Sequence, residues 1–152
     1  MTGLCRSLAL TVLACLAIAS PALAQQPGLA RPRDAAEIFV AATAAGEAEK
    51  IAAMYAPDAM MLAPGAPPIQ GREAIAAVFR RNFAAGRNAI AFSAVRAETG
   101  ADRAAVYWEW SAEIAPASGA LQKMKGRSLV YFRKYPAGWL ISADMMHVER
   151  AP

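Results

Sequence analysis

The hydrophobic period of the chain changes once, near Asn88, and that change limits the folds open to it. Upstream, apolar residues recur at helical spacing. Ile75, Val78, Phe79 and Phe83 fall at i, i+3, i+4 and i+8, with Asn82 at i+7. Downstream, they alternate. Ala104, Val106, Trp108, Trp110 and Ala112 share one side of a strand whose other side carries Arg103, Tyr107, Glu109, Ser111 and Glu113. One apolar face and one wet face is the pattern of an antiparallel sheet packed on one side only. Helices followed by a run of strands give an α+β fold: a curved antiparallel sheet around about three N-terminal helices, with one concave side.

Local signals set the boundaries. Asp34 and Glu37 resemble a capping box opening a helix over 34–46, which Gly46 stops. A second short helix over 47–55 carries Ile51, Met54 and Tyr55, and Ala56-Pro57-Asp58 turns the chain. A short buried strand is expected over 59–63, then a loop over 64–68 in which Pro67-Pro68 keeps the backbone extended. The clearest helix covers 71–85 and ends at Gly86. Four strands then follow in meander: Ile90, Phe92 and Ala94 alternate in the first, and the others cover 103–113, about 124–134 and 139–148. With 152 residues and no internal repeat, a single domain accounts for the chain.

The N-terminus reads as a secretory signal peptide. Arg6 precedes an apolar run over 8–18, and Ala22-Leu23-Ala24 is a small-x-small cleavage site. The run is too short for a helix crossing a bilayer core of roughly 30 Å, so no stable membrane insertion is expected. A competing reading is Val12-Leu13-Ala14-Cys15, which is similar to a lipoprotein signal and would leave Cys15 lipidated. The organisation is thus a signal peptide over 1–24, a flexible leader over 25–33 and a folded domain over 34–150, periplasmic or secreted. Cleavage removes both Cys5 and Cys15, and with them any disulfide or thiolate chemistry. It also removes Arg6, taking the formal charge from +4 to +3. That is a solubility charge with scattered basic residues, and nucleic acid is not an expected partner.

A family resemblance rests on two stretches. Tyr55-Ala56-Pro57-Asp58-Ala59, followed by Pro64-Gly65-Ala66-Pro67-Pro68-Ile69-Gln70-Gly71-Arg72-Glu73-Ala74-Ile75, is similar to the first half of the SnoaL-like group of the nuclear-transport-factor-2-like superfamily. Gly126-Arg127-Ser128-Leu129-Val130 and Gly138-Trp139-Leu140-Ile141-Ser142-Ala143-Asp144 resemble its closing strands. The resemblance implies a cone with a pocket at its wide end, and a homodimer formed through the sheet. Here that contact would include Tyr107, Glu109 and Ser111. It does not fix an activity, because the superfamily includes ketosteroid isomerase, polyketide cyclases, dehydratases, epoxide hydrolases and noncatalytic domains.

The residues narrow the chemistry further. Isomerase-like members place a carboxylate base just before the proline that ends the first strand, and here that position is Ala63, which takes no proton. Two candidates for acid–base work remain. His147, the only histidine, shares strand parity with Trp139, Ile141, Ala143 and Met145 and is expected at the pocket rim. Asp144 shares parity with Ser142 and Met146, and is expected off that face unless a β-bulge re-aims it. Asp58 reads as a turn residue, and Glu109 with Glu113 as a solvated face. No metal site is expected from one histidine and scattered carboxylates, and no cofactor, since no phosphate loop or dinucleotide fingerprint occurs. Tyr55, Met61 (or Met60), Trp108, Trp110 and Met145 would suit a pocket for a small apolar or aromatic molecule, with charge mattering little to binding. Two main readings follow: a binding domain without chemistry, and an isomerase, lyase or hydrolase of steroid- or polyketide-like molecules using His147 or Asp144. Assembly through the outer sheet is a third.

The signal-peptide reading is checked by N-terminal sequencing of exported protein. The expected first residue is Gln25, and a lipid-modified Cys15 at the terminus would overturn it.

Overall fold

In a computed structural model, residues 28–117 and 119–149 are described. The signal-peptide segment and both cysteines lie outside them. From Gly28 on, the expected flexible leader is tied down. Leu29 is buried and exchanges two backbone hydrogen bonds of 2.9 Å with Trp139, and Gly28 N–H donates to the Ala137 carbonyl at 2.7 Å. An apolar side chain at position 29 gives that segment a reason to pack.

Three helices follow: α1 (Ala35–Ala45), α2 (Ala48–Ala53) and α3 (Arg72–Ala85). The Asp34 carboxylate does not cap α1. It accepts instead from Arg31 Nε at 3.0 Å and from Arg31 N–H at 3.2 Å. At the other end Gly46 has φ 71, a left-handed stop that its missing Cβ makes easy. The buried face of α1 is mostly alanine, so the helix lies close to the sheet and Phe39 is its one large inward side chain.

The sheet contains β1 (Tyr55–Leu62), β2 (Ile69–Gln70), β3 (Gly86–Thr99), β4 (Arg103–Pro116), β5 (Gln122–Tyr135) and β6 (Gly138–Val148). Their order is β2-β1-β6-β5-β4-β3, a curved, unclosed sheet whose concave face packs on the helices. The last four strands form the expected antiparallel meander, but β1 pairs in parallel with β6. The expected turn at Ala56-Pro57-Asp58 is part of β1. Ile141 N–H donates to the Met54 carbonyl at 2.8 Å, and Arg72 Nε donates to the Tyr55 carbonyl at 2.7 Å, so the chain is held extended from Tyr55. Pro57 falls where the β1–β6 register shifts, a place where a missing N–H is tolerated.

Two one-residue bulges then reassign faces. In β3, Phe92 pairs with Trp110 but Ala94 pairs with Glu109, so Ser93 is the extra residue and Val95 comes to lie opposite Trp108. In β6, Ile141 pairs with Phe132 but Ala143 pairs with Tyr131, leaving Ser142 unpaired. A slip of one residue sends every later side chain to the other face. Asp144 and Met146 therefore turn inward, while Met145 and His147 turn outward.

Gly126, opposite Trp110, is a close approach. A Cβ there would collide with the His147 carbonyl and with the Trp110 ring, so glycine lets that indole lie across β5.

Candidate functional site

Between α1, α3 and the concave face of the sheet lies a cavity of about 220 Å³. Its walls are mainly aromatic and aliphatic. Phe39 from α1 meets Phe92 and Trp108 from the sheet with ring centroids 6.3 and 6.1 Å apart, and Phe92 lies 5.0 Å from Trp108. These tilted and edge-on contacts are the favoured aromatic geometries and fix the indole. Trp110 is held separately, donating from Nε1 to Ser128 Oγ at 3.1 Å. A wider depression of about 580 Å³ shares Thr43, Phe83, Asn88 and Ala89 with this cavity. The chemistry lies in the smaller, inner space.

Among the described residues, one ionisable side chain lines that space. Asp144 is buried, its Oδ2 accepts from the Tyr55 hydroxyl at 2.7 Å, and its Oδ1 has no protein partner. No basic side chain among the described residues lines the cavity. Burial pushes the Asp144 carboxyl up from 3.8 to about 6, and the Tyr55 hydrogen bond pulls the other way without cancelling it. Tyr55 is itself held well above its ordinary value, by burial first and by the Asp144 charge second. The phenol therefore stays a donor at neutral pH, and the carboxyl is a group that changes protonation near it.

The expected site residues separate into two sets. Met61, Trp108 and Trp110 line the cavity, as does Ala63, whose methyl group takes no proton. Tyr55 stands behind Asp144 and reaches the site through it. Met145 and His147 correct the expectation. Met145 is 52% exposed and His147 is also exposed, both on the outer face, because the Ser142 bulge inverts the parity counted from Trp139. Asp144 and Met146 take the inward places. Strand alternation also gave no hint of Phe39 or Ser128, which become neighbours of the tryptophans only once the sheet curls around α1. Among the described residues, no group of three or more His, Cys, Asp and Glu side chains gathers to hold a metal ion.

Residues 36–134 match the family model of the SnoaL-like domain. No curated protein matches the chain. The fold is similar to a ketosteroid isomerase-like protein from Erwinia carotovora atroseptica, at 22% identity over 78% of this chain and 93% of that one, with TM-score 0.63. It is also similar to an NTF2-like protein with a cystatin-like fold from Novosphingobium aromaticivorans, at 21% identity over 79% and 80% of the two chains and TM-score 0.67. A nuclear transport factor 2-like superfamily protein from Salmonella enterica serovar Typhimurium aligns at 13% identity over 78% and 89%, with TM-score 0.69. At these identities the likeness carries the fold alone.

The raised Asp144 carboxyl predicts a pH dependence of stability. Between pH 4 and 6 the folded state keeps a proton that the unfolded chain releases, so stability is greatest below that window and falls as pH rises through it. From 3.8 to about 6, the fall is on the order of 3 kcal/mol. Asp144→Asn keeps an acceptor for the Tyr55 hydroxyl and should flatten this decline. Chemical denaturation at several pH values checks it, and an unchanged slope in the variant would contradict the assignment.

Proposed function

The chain belongs to the SnoaL-like domain family, and from that premise we propose that it is an exported domain that holds a small apolar or aromatic molecule in its cone. The observation that carries the reading is the cavity walled by Trp108, Trp110, Phe92, Phe39 and Met61. A concave, largely apolar site with few polar groups is how small-molecule sites are built. Affinity there comes from apolar area removed from water, on the order of 25 cal/mol per Å² before the costs of association. Export rests on the Ala22-Leu23-Ala24 site.

A second reading is supported by Asp144. A buried carboxyl at about 6, at the wall of an apolar cavity, has the pKa of a general acid or base working near neutrality. It would serve an isomerase, lyase or hydrolase with Tyr55 orienting it, and the methyl group of Ala63 removes the other candidate position. His147 on the outer face takes no part.

The homodimer belongs to the same proposal. On the outer face, Leu129, Tyr131, Met145 and Met60 are 38–52% exposed, and the strand register makes them neighbours beside Tyr107. An apolar patch on an open sheet suits an isologous contact.

Tryptophan fluorescence titration with small hydrophobic ligands tests the binding. A saturable change is expected, and Trp108→Ala should weaken it while costing about 3 to 5 kcal/mol of stability, measured separately by denaturation. A folded wild type that shows no saturable change with any ligand would overturn the binding reading, and ring-substrate turnover lost in Asp144→Asn would establish the second. The same preparation should sediment as a dimer at roughly tens of micromolar, and a monomer there would remove the dimer.

A further inference from the structure

Among the described residues, the exposed methionines are Met60 and Met145, at 38% and 52%, and the one histidine of the chain, His147, is exposed as well. All three stand on the outer face of the adjacent strands β1 and β6, away from the cavity that Asp144 and Met146 line. The Ser142 bulge is the cause, since it turns Met145 and His147 outward together. Two residues apart on one extended strand, these two side chains rise from the same face with their backbone positions roughly 7 Å apart. Met60 pairs with Ala143, on the far side of Met145 from His147.

A thioether and an imidazole at that spacing can lean together and hold one ion between them. Thioether sulfur is soft and uncharged and selects copper(I), whereas zinc(II) is held by thiolate, imidazole and carboxylate. The surroundings agree. Leu62 and Leu129 flank Met145 on the neighbouring strands, so no charged residue stands opposite its sulfur. Arg127 stands opposite His147, but its guanidinium lies 3.8 Å from the Glu149 carboxylate, and that ion pair offsets the charge that would repel a cation. In the exported chain proposed above, loss of Cys5 and Cys15 leaves thioether as the only sulfur.

We propose that Met145 Sδ and the His147 imidazole together bind copper(I) on the outer face of the sheet, apart from the cone. The expectation of no metal site weighed histidine, cysteine and carboxylate groups, and thioether sulfur lies outside that count. Small-molecule binding in the cavity neither requires this site nor is required by it.

Silver(I), a soft monovalent ion that is stable in air, is the probe. It is titrated as the nitrate in chloride-free buffer near neutral pH while methionine methyl and histidine ring resonances are followed by NMR, with zinc(II) in parallel. The Met145 methyl and the His147 ring are expected to shift together and saturate at one ion per chain, with no such shift from zinc(II). Met145→Leu and His147→Gln should each weaken binding at least about tenfold, and Met60→Leu should leave it unchanged. An equal loss in Met60→Leu would overturn the assignment to Met145 and His147. Met145 also belongs to the proposed dimer contact, so Tyr131→Asp, which disrupts that contact and touches neither ligand, is titrated beside the wild type. No saturable shift in either protein would overturn the inference, as would equal shifts with zinc(II). Sedimentation of the same samples judges the dimer separately: a monomer removes the dimer and leaves the metal site standing.

Discussion

One unpaired residue in the last strand, Ser142, decides what the inner cavity can do. Without it, β6 would continue the alternation that begins at Trp139 and Ile141, and Met145 and His147 would face the helices. With it, Asp144 faces inward and meets the Tyr55 hydroxyl at 2.7 Å, across 89 residues of sequence. The bulge is anchored locally, since Ser142 Oγ donates to the Tyr131 carbonyl at 3.3 Å, beside the register shift. It lets an apolar first half of β6 seal the narrow part of the core and a polar group enter the second half. A regular strand would have had to choose one or the other.

The same arrangement accounts for the balance between core and cavity. Alanine along α1 brings the helix onto the sheet, and Tyr55, Phe132, Ile51 and Ile141 fill the closed part of the core. Around the cavity, Phe39, Phe92 and Trp108 stand tilted or edge-on to one another, and aliphatic side chains such as Met61, Val78 and Ile90 complete the walls. Gly126 leaves room for the Trp110 indole against β5, and Ser128 holds it there by a hydrogen bond. A buried carboxyl with one free oxygen destabilises the folded chain above its pKa.

The fold was largely readable because its signals are local. The 3.6-residue spacing in α3 and the strict alternation of β4 are each set by one element against one surface, and both appear in the structure. The faces of Trp108 and Trp110 were readable for the same reason, since β4 carries no irregularity of its own. What was not readable depends on pairing between distant segments. Pro57 signals a turn in isolation, yet it sits in a strand because β6 and Arg72 hold the neighbouring backbone. The serines at 93 and 142 look like any solvent-facing strand residue, and only the register with β4 and β5 makes them extra. An error of one residue there moved His147 and Met145 to the wrong face and left Asp144, a candidate from its residue type, off the cavity face unless a bulge intervened, so the candidate site was harder to read than the fold that contains it.

The central claim is that Asp144 is a buried, ionisable group at the wall of the cavity. It is tested most directly by following the Asp144 carboxyl carbon by NMR across a pH titration, with the resonance assigned by its loss in Asp144→Asn. The account predicts a midpoint of about 6. A midpoint near 4, the ordinary value for a solvated aspartate, would contradict it.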